Sequence, residues 1–255
     1  MRLTTLLSMS VVGLATATAS ASQWNLTYNG YGSSTLANVS YNANQAWNGA
    51  PAGSFSQIRV GEHLFQTGSL AYATFCIQLF EGLTVGATTA FCEVDVALVP
   101  EGPPSPGPMG LVKATLVQDL YYRFYASTND ETATAAELDV RNAAFQIALY
   151  EVTHESLSAA DAAGAAGQLG LGQGAFQSAG RSGDAASALA VSLAADMLAA
   201  LGDGGFNFFG TGLRGLTNDD RQDQLIVVPL PTTVALAAAG LGLVGVARRR
   251  ARTAR

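Results

Sequence analysis

Positive charge is scarce in this chain. Between its two ends, over residues 22–231, one lysine, Lys113, and six arginines face all 19 carboxylates, a net charge of −12 that the whole-chain value of −6 hides. Such a surface excludes a nucleic-acid partner, which needs a basic footprint. It suits an exported soluble protein that repels anionic polymers unless divalent cations intervene. Histidine is nearly absent. His63 and His154 are the whole supply, and they read as structural or surface polar residues rather than as a metal centre or the base of a Ser-His-Asp triad. Neither G-x-S-x-G, H-E-x-x-H nor a phosphate-binding P-loop is present, so no enzyme, cofactor or catalytic set is expected. Asn218 to Asp223 holds three carboxylates but lacks the spacing and glycine of a calcium loop, and reads as a solvated turn. No repeat of fixed period is apparent.

Long hydrophobic runs are also missing from the middle of the chain. The two that exist lie at the ends. Met1-Arg2, an apolar Leu3 to Ala17 and Ala19-Ser20-Ala21 form a signal peptide over 1–21, with the mature chain starting at Ser22. At the other end Thr232 to Ala247 is uncharged and built from Ala, Leu, Val and Gly. It is short of the roughly 20 residues of a full bilayer span. Arg248, Arg249, Arg250 and Arg252 would keep the C-terminus on the cytoplasmic side.

Val228-Pro229-Leu230-Pro231, the apolar helix 232–247 and the Arg248-Arg249-Arg250 stop follow one another in fixed order. Residues 228–255 closely resemble the PEP-CTERM sorting signal in its Val-Pro-Leu-Pro variant; the commoner motif has Glu where Leu230 stands. In that family an exosortase, a membrane transpeptidase, reads the tail and cleaves near the motif. The resemblance implies a Gram-negative envelope or extracellular-matrix protein, held at the membrane by its C-terminal helix before processing, and often tied to exopolysaccharide and biofilm.

The ectodomain, 22–227, changes period twice. Residues 22–110 read mainly as β. Trp24, Leu26 and Tyr28 alternate with polar neighbours, and Ser56 to Val60, Leu70 to Phe80 and Thr88 to Val99 continue the pattern between Gly and Asn turns. Five prolines and three glycines make Pro100 to Gly110 an extended loop. Residues 111–202 are mainly α. One helix carries Leu111, Leu116, Leu120 and Phe124, and a second runs from about Asp130 to His154. Ser158 to Gly183 reads as loop with helical pieces, and a third helix, 185–201, is capped by Asp184 and closed by Gly202. Strand character returns over 203–227, in Gly205 to Gly215 and Gln224 to Val228. The expected class is α+β: a β-sandwich or barrel with a helical insertion, its last strand pairing back into the first sheet. The exposed ring faces of Trp24 and Trp47 suit stacking on sugars; packing in the core is the competing role for both.

Two segments carry the chemistry. One is Thr74-Phe75-Cys76-Ile77-Gln78-Leu79, a cysteine inside a strand. The other is Ala144-Phe145-Gln146-Ile147-Ala148-Leu149-Tyr150, a glutamine inside an amphipathic helix. Together they resemble the thioester domains of bacterial surface adhesins, where a Phe/Tyr-Cys-Ile-acid motif supplies a thiol and a Gln-x-Ala-Ile-Trp motif a carboxamide. The resemblance covers residues 72–152 and implies that Cys76 and Gln146 condense into an internal thioester. That bond is a protected electrophile which an amine on a surface ligand would open by acyl transfer. Gln78 stands where the family has an acid, and Tyr150 where it has Trp. Cys92 offers a different fate. Phe75-Cys76 and Phe91-Cys92 lie on neighbouring strand candidates separated by Gly82 and Gly86, and a hairpin would place them within reach of a Cys76–Cys92 disulfide. Two functions therefore stand side by side: covalent attachment through Cys76 and Gln146, or a non-covalent structural or carbohydrate-contacting matrix protein with a disulfide.

Overall fold

The structure is a computed structural model, and it describes residues 22–41, 53–79, 81–99, 108–210 and 212–228. Residues 1–21, expected to form a signal peptide, lie outside the described residues, as do Trp47, Pro229, Leu230, Pro231, the apolar segment 232–247 and Arg248, Arg249 and Arg250. Among those described, no helix is long and apolar enough to cross a membrane.

The fold is mixed α+β around one antiparallel sheet. Its strands are β1 (Gln23–Tyr41), β2 (Ser56–Thr67), β3 (Leu70–Cys76), β4 (Thr88–Val94), β5 (Phe176–Ala179), β6 (Leu213–Thr217) and β7 (Gln224–Val227). The helices are α1 (Gly110–Thr128), α2 (Ala135–His154), α3 (Ala162–Ala166) and α4 (Ala185–Ala199). Strand order is β2-β3-β7-β6-β4-β1-β5, and β1 also pairs with β2. That extra pairing closes six strands into a ring, which removes their free edges. The long β1 makes the closure possible: Gln23–Thr27 pair with β4, Thr27–Val39 with β2, and Asn38–Tyr41 with β5.

A strand shared in this way must bend. The β1–β2 register shifts between Tyr28 and Gly30 and again between Tyr31 and Ser34. Gly30 sits at φ 106° and Gly61, on the facing strand, at φ 141°. A Cβ on Gly61 would meet the Ser33 carbonyl oxygen, so bulge and glycine together let the ribbon curl.

Alternation splits the apolar side chains into two cores. Leu26, Tyr28, Phe65, Phe91, Leu216 and Ile226 fill the ring interior. The larger core lies between the sheet and the helices, where Phe75 meets Phe145 at 4.7 Å and Tyr121 meets Phe145 at 4.9 Å between ring centroids. Helix α2 runs through this layer. Its start is fixed by a capping box, the Thr134 hydroxyl accepting from Glu137 N–H while the Glu137 carboxylate accepts from Thr134 N–H. From Asn142 to His154 every residue is buried. An amphipathic helix would bury one stripe, here Phe145, Leu149 and Val152, but β1, β2, α1 and α4 enclose the helix on several sides.

Several boundaries differ from expectation. The strand expected over 70–80 stops at Cys76, and the one over 88–99 stops at Val94, where Asp95 caps a 3₁₀ turn, Val96–Leu98. The returning strands span Leu213–Thr217 and Gln224–Val227, not Gly205 to Gly215; Phe206 and Phe209 instead pack as irregular chain on the helical core. The segment read as loop with helical pieces contains β5, whose four residues find their pattern only by pairing with the far end of β1.

Candidate functional site

Cys76 is the last residue of β3, fully buried, and its neighbour across the sheet is Gln224 of β7. Gln146 projects from the middle of α2 onto this strand end. Its Oε1 accepts the Cys76 backbone N–H at 3.0 Å, and its Nε2 donates to the Cys76 carbonyl at 2.7 Å. One carboxamide thus satisfies both backbone groups of one residue where the ladder ends, in a place without solvent. The thiol donates to the Gln78 carbonyl at 2.8 Å and accepts from the Tyr150 hydroxyl at 3.0 Å. Tyr150 follows Gln146 by one turn and shares its face of the helix. Burial pushes the Cys76 thiol well above its ordinary range, and it outweighs the opposing pull of the hydrogen bond that the Tyr150 hydroxyl donates. The sulfur is therefore a neutral thiol at physiological pH.

The turn after Cys76 is tied to the segment before β7. Asp223 N–H donates to Gln78 Oε1 at 2.9 Å, Ile77 N–H to the Asp223 carbonyl at 3.1 Å, and Gln222 Nε2 to the Gln78 carbonyl. Gln224 Oε1 accepts from the Thr74 hydroxyl at 3.0 Å and lies 3.2 Å from His63 Nδ1. Gln78 thus serves as the knot of this tether. Asn218 to Asp223 is not wholly a solvated turn. Asp219 and Asp220 are exposed, but Asp223 is buried, with Oδ1 on Asn218 N–H at 2.8 Å and Oδ2 without a partner. Burial raises its carboxyl to about 7, with Glu81 and Asp219 adding to the rise against the Asn218 hydrogen bond. Among the described residues no group of three His, Cys, Asp or Glu is placed to hold a metal ion.

A cavity of about 290 Å³ is lined by Tyr28, Tyr31, Arg59, His63, Glu81 and Tyr150 among others; neither Cys76 nor Gln146 is on its wall. His63 packs edge-on to Tyr28 and Tyr31 at 5.4 and 4.8 Å. Burial pushes His63 down to about 4, so the imidazole is neutral. Tyr150 belongs both to the cavity wall and to the sulfur's contacts. The cavity, Asp223 and the Tyr150 hydroxyl were not read from the sequence as parts of the site. Tyr150 entered the sequence reading only as the residue standing where the motif has Trp, with no role for its hydroxyl.

Cys92 is elsewhere. Both cysteines are free, Cys76 buried and Cys92 exposed. Strands β7 and β6 separate them one way round the ring, and β2 and β1 the other. Phe91 points into the ring, so Cys92 points out of it. The hairpin expected to join the two cysteine strands does not form, because β3 takes β2 and β7 as partners while β4 takes β1 and β6. A Cys76–Cys92 disulfide would require the sheet to be rebuilt. Trp24 is half-buried, donating to Glu93 Oε2 at 2.9 Å and stacked edge-on to Tyr72. Trp24 also lines a separate cavity with Leu70, Tyr72, Tyr125 and Val228. Compared with known proteins, the chain matches no family model, no curated protein and no solved structure.

Proposed function

We propose that this is an exported envelope or matrix protein of a Gram-negative bacterium that attaches covalently to amine-bearing ligands through an internal thioester between Cys76 and Gln146. The observation that carries the reading is the seating of the Gln146 carboxamide on Cys76, across 70 positions of sequence, with both side chains buried. Formation joins Sγ to the Gln146 carbonyl carbon and breaks its bond to Nε2, which leaves as ammonia with the thiol proton. Aminolysis later joins the ligand nitrogen to the same carbon and returns the thiol. Each molecule reacts once, so this is acyl transfer without turnover. Burial supports the reading because it keeps water from hydrolysing the bond before an amine arrives. Delivery is assigned to the signal peptide and to exosortase processing of residues 228–255; exopolysaccharide is the surrounding matrix.

Intact mass of the purified ectodomain, taken without reductant, tests this. The expected result is a deficit of one ammonia in the wild type, converted to a methylamine adduct on treatment and abolished in Cys76→Ala. A wild-type mass equal to the sequence mass, or short by only two hydrogens, would sink the proposal.

A further inference from the structure

We propose that the Tyr150 hydroxyl is a catalytic group of the aminolysis step, donating to the sulfur as it leaves the acyl carbon and relaying the proton of the incoming amine to it. This deepens the thioester reading and rests on it. The geometry has three parts. First, the Tyr150 hydroxyl is 3.0 Å from Cys76 Sγ, and both groups are buried. Second, of the two hydrogen bonds at the sulfur only this one survives acylation. The bond to the Gln78 carbonyl needs a proton on sulfur, and a thioester sulfur has none. Third, Tyr150 is on the wall of the cavity while Cys76 and Gln146 are not, so Tyr150 links the buried sulfur to a space that a small amine can enter.

The step balances without another reactant. The amine lone pair forms the new carbon–nitrogen bond, and the carbon–sulfur pair returns to Sγ. The proton shed by nitrogen passes to the phenol oxygen while the phenol proton passes to sulfur. A donor already aimed where charge develops lowers the barrier without reorganisation. Burial, with the nearby thiol adding to the effect, holds the Tyr150 phenol well above its ordinary range. Phenolate is then not an accumulating intermediate, and the transfer is a concerted relay.

Tyr150→Phe keeps the ring and its packing and removes only the hydroxyl. The expected result is an intact ammonia deficit with a methylamine reaction about 10²-fold slower than wild type. Reaction at the wild-type rate would overturn the role of Tyr150 while leaving the thioester standing. A folded Tyr150→Phe protein without the deficit would overturn it too, because the hydroxyl would then serve formation. Absence of the deficit in the wild type removes the thioester and this role together. The wild type alone provides a second check if the variant does not fold: the relay predicts that methylamine incorporation is slower in deuterated water, and equal rates in the two solvents would rule it out.

Discussion

At Cys76 one side chain does the work that a neighbouring strand would do. The backbone N–H and C=O of Cys76 lie at the end of a ladder, and Gln146 answers both. In a Cys76→Ala background, where no thioester forms and the carboxamide stays whole, Gln146→Ala would leave two buried polar groups unpaired, and we expect a loss of about 3 kcal/mol in urea unfolding; an unchanged midpoint would show that the clasp contributes nothing to the fold. Asp119 has a comparable role on α1. It is fully buried and accepts from Arg123 Nε and Gly202 N–H, each at 2.8 Å, and from Asn207 N–H at 2.9 Å. Burial raises its carboxyl, but these donors outweigh burial and hold it below the ordinary 3.8. A depressed carboxyl stabilises above its unfolded value, and the effect is lost as pH falls through the folded one. Asp119→Asn should therefore cost about 2 kcal/mol at neutral pH. Its gap from wild type should narrow below pH 3.8, and a constant gap would refute the charged role.

Closure of the ring depends on elements that curl. Gly61→Ala places a Cβ against the Ser33 carbonyl at a φ that side chains avoid, and should cost about 2 kcal/mol. Melting temperature reads this directly, and a rise on substitution would mean the bulge is not under constraint. The same elements show where the sequence was readable. Period-two alternation in Trp24, Leu26 and Tyr28 is a local property, and β1 begins there. The helix after Asp184 announced itself through that cap, which acts within three residues, whereas the helix expected from about Asp130 begins at Ala135, after the Thr134 cap. Pairing partners are not local. Cys76 and Cys92 looked like two arms of a hairpin because Gly82 and Gly86 lie between them, yet β3 takes β7, whose residues lie some 150 positions on. β5 was invisible for the same reason. Cys76 and Gln146 stood out through resemblance to a motif pair. The Tyr150–sulfur contact and the cavity required the fold itself.

Over the whole molecule, buried titratable groups oppose one another. Burial holds His154 down at about 3 and His63 at about 4, both neutral, against an ordinary 6.5. The unfolded chain takes up protons at these sites first, so stability falls as pH drops from 6.5 toward those values. Glu151 and Asp223 act in the other direction. Burial raises Glu151 from 4.5 to about 8 and Asp223 from 3.8 to about 7. Here the folded chain keeps protons that the unfolded chain releases, so stability falls as pH rises through those windows. Between pH 4.5 and 6.5 the two pairs offset each other; above 6.5 only the carboxyls continue to titrate. Residues 22–227 should therefore be most stable in mild acid, despite their excess of negative charge. Glu151 isolates the effect, since its Oε1 accepts from Gly170 N–H at 2.7 Å while its Oε2 has no partner. Glutamine can keep the first contact and cannot ionise. Melting temperatures of wild type and Glu151→Gln across neutral and alkaline pH should coincide near pH 4.5 and diverge up to about 8, the variant being the more stable. Parallel curves across that range would show that Glu151 is not protonated in the folded protein.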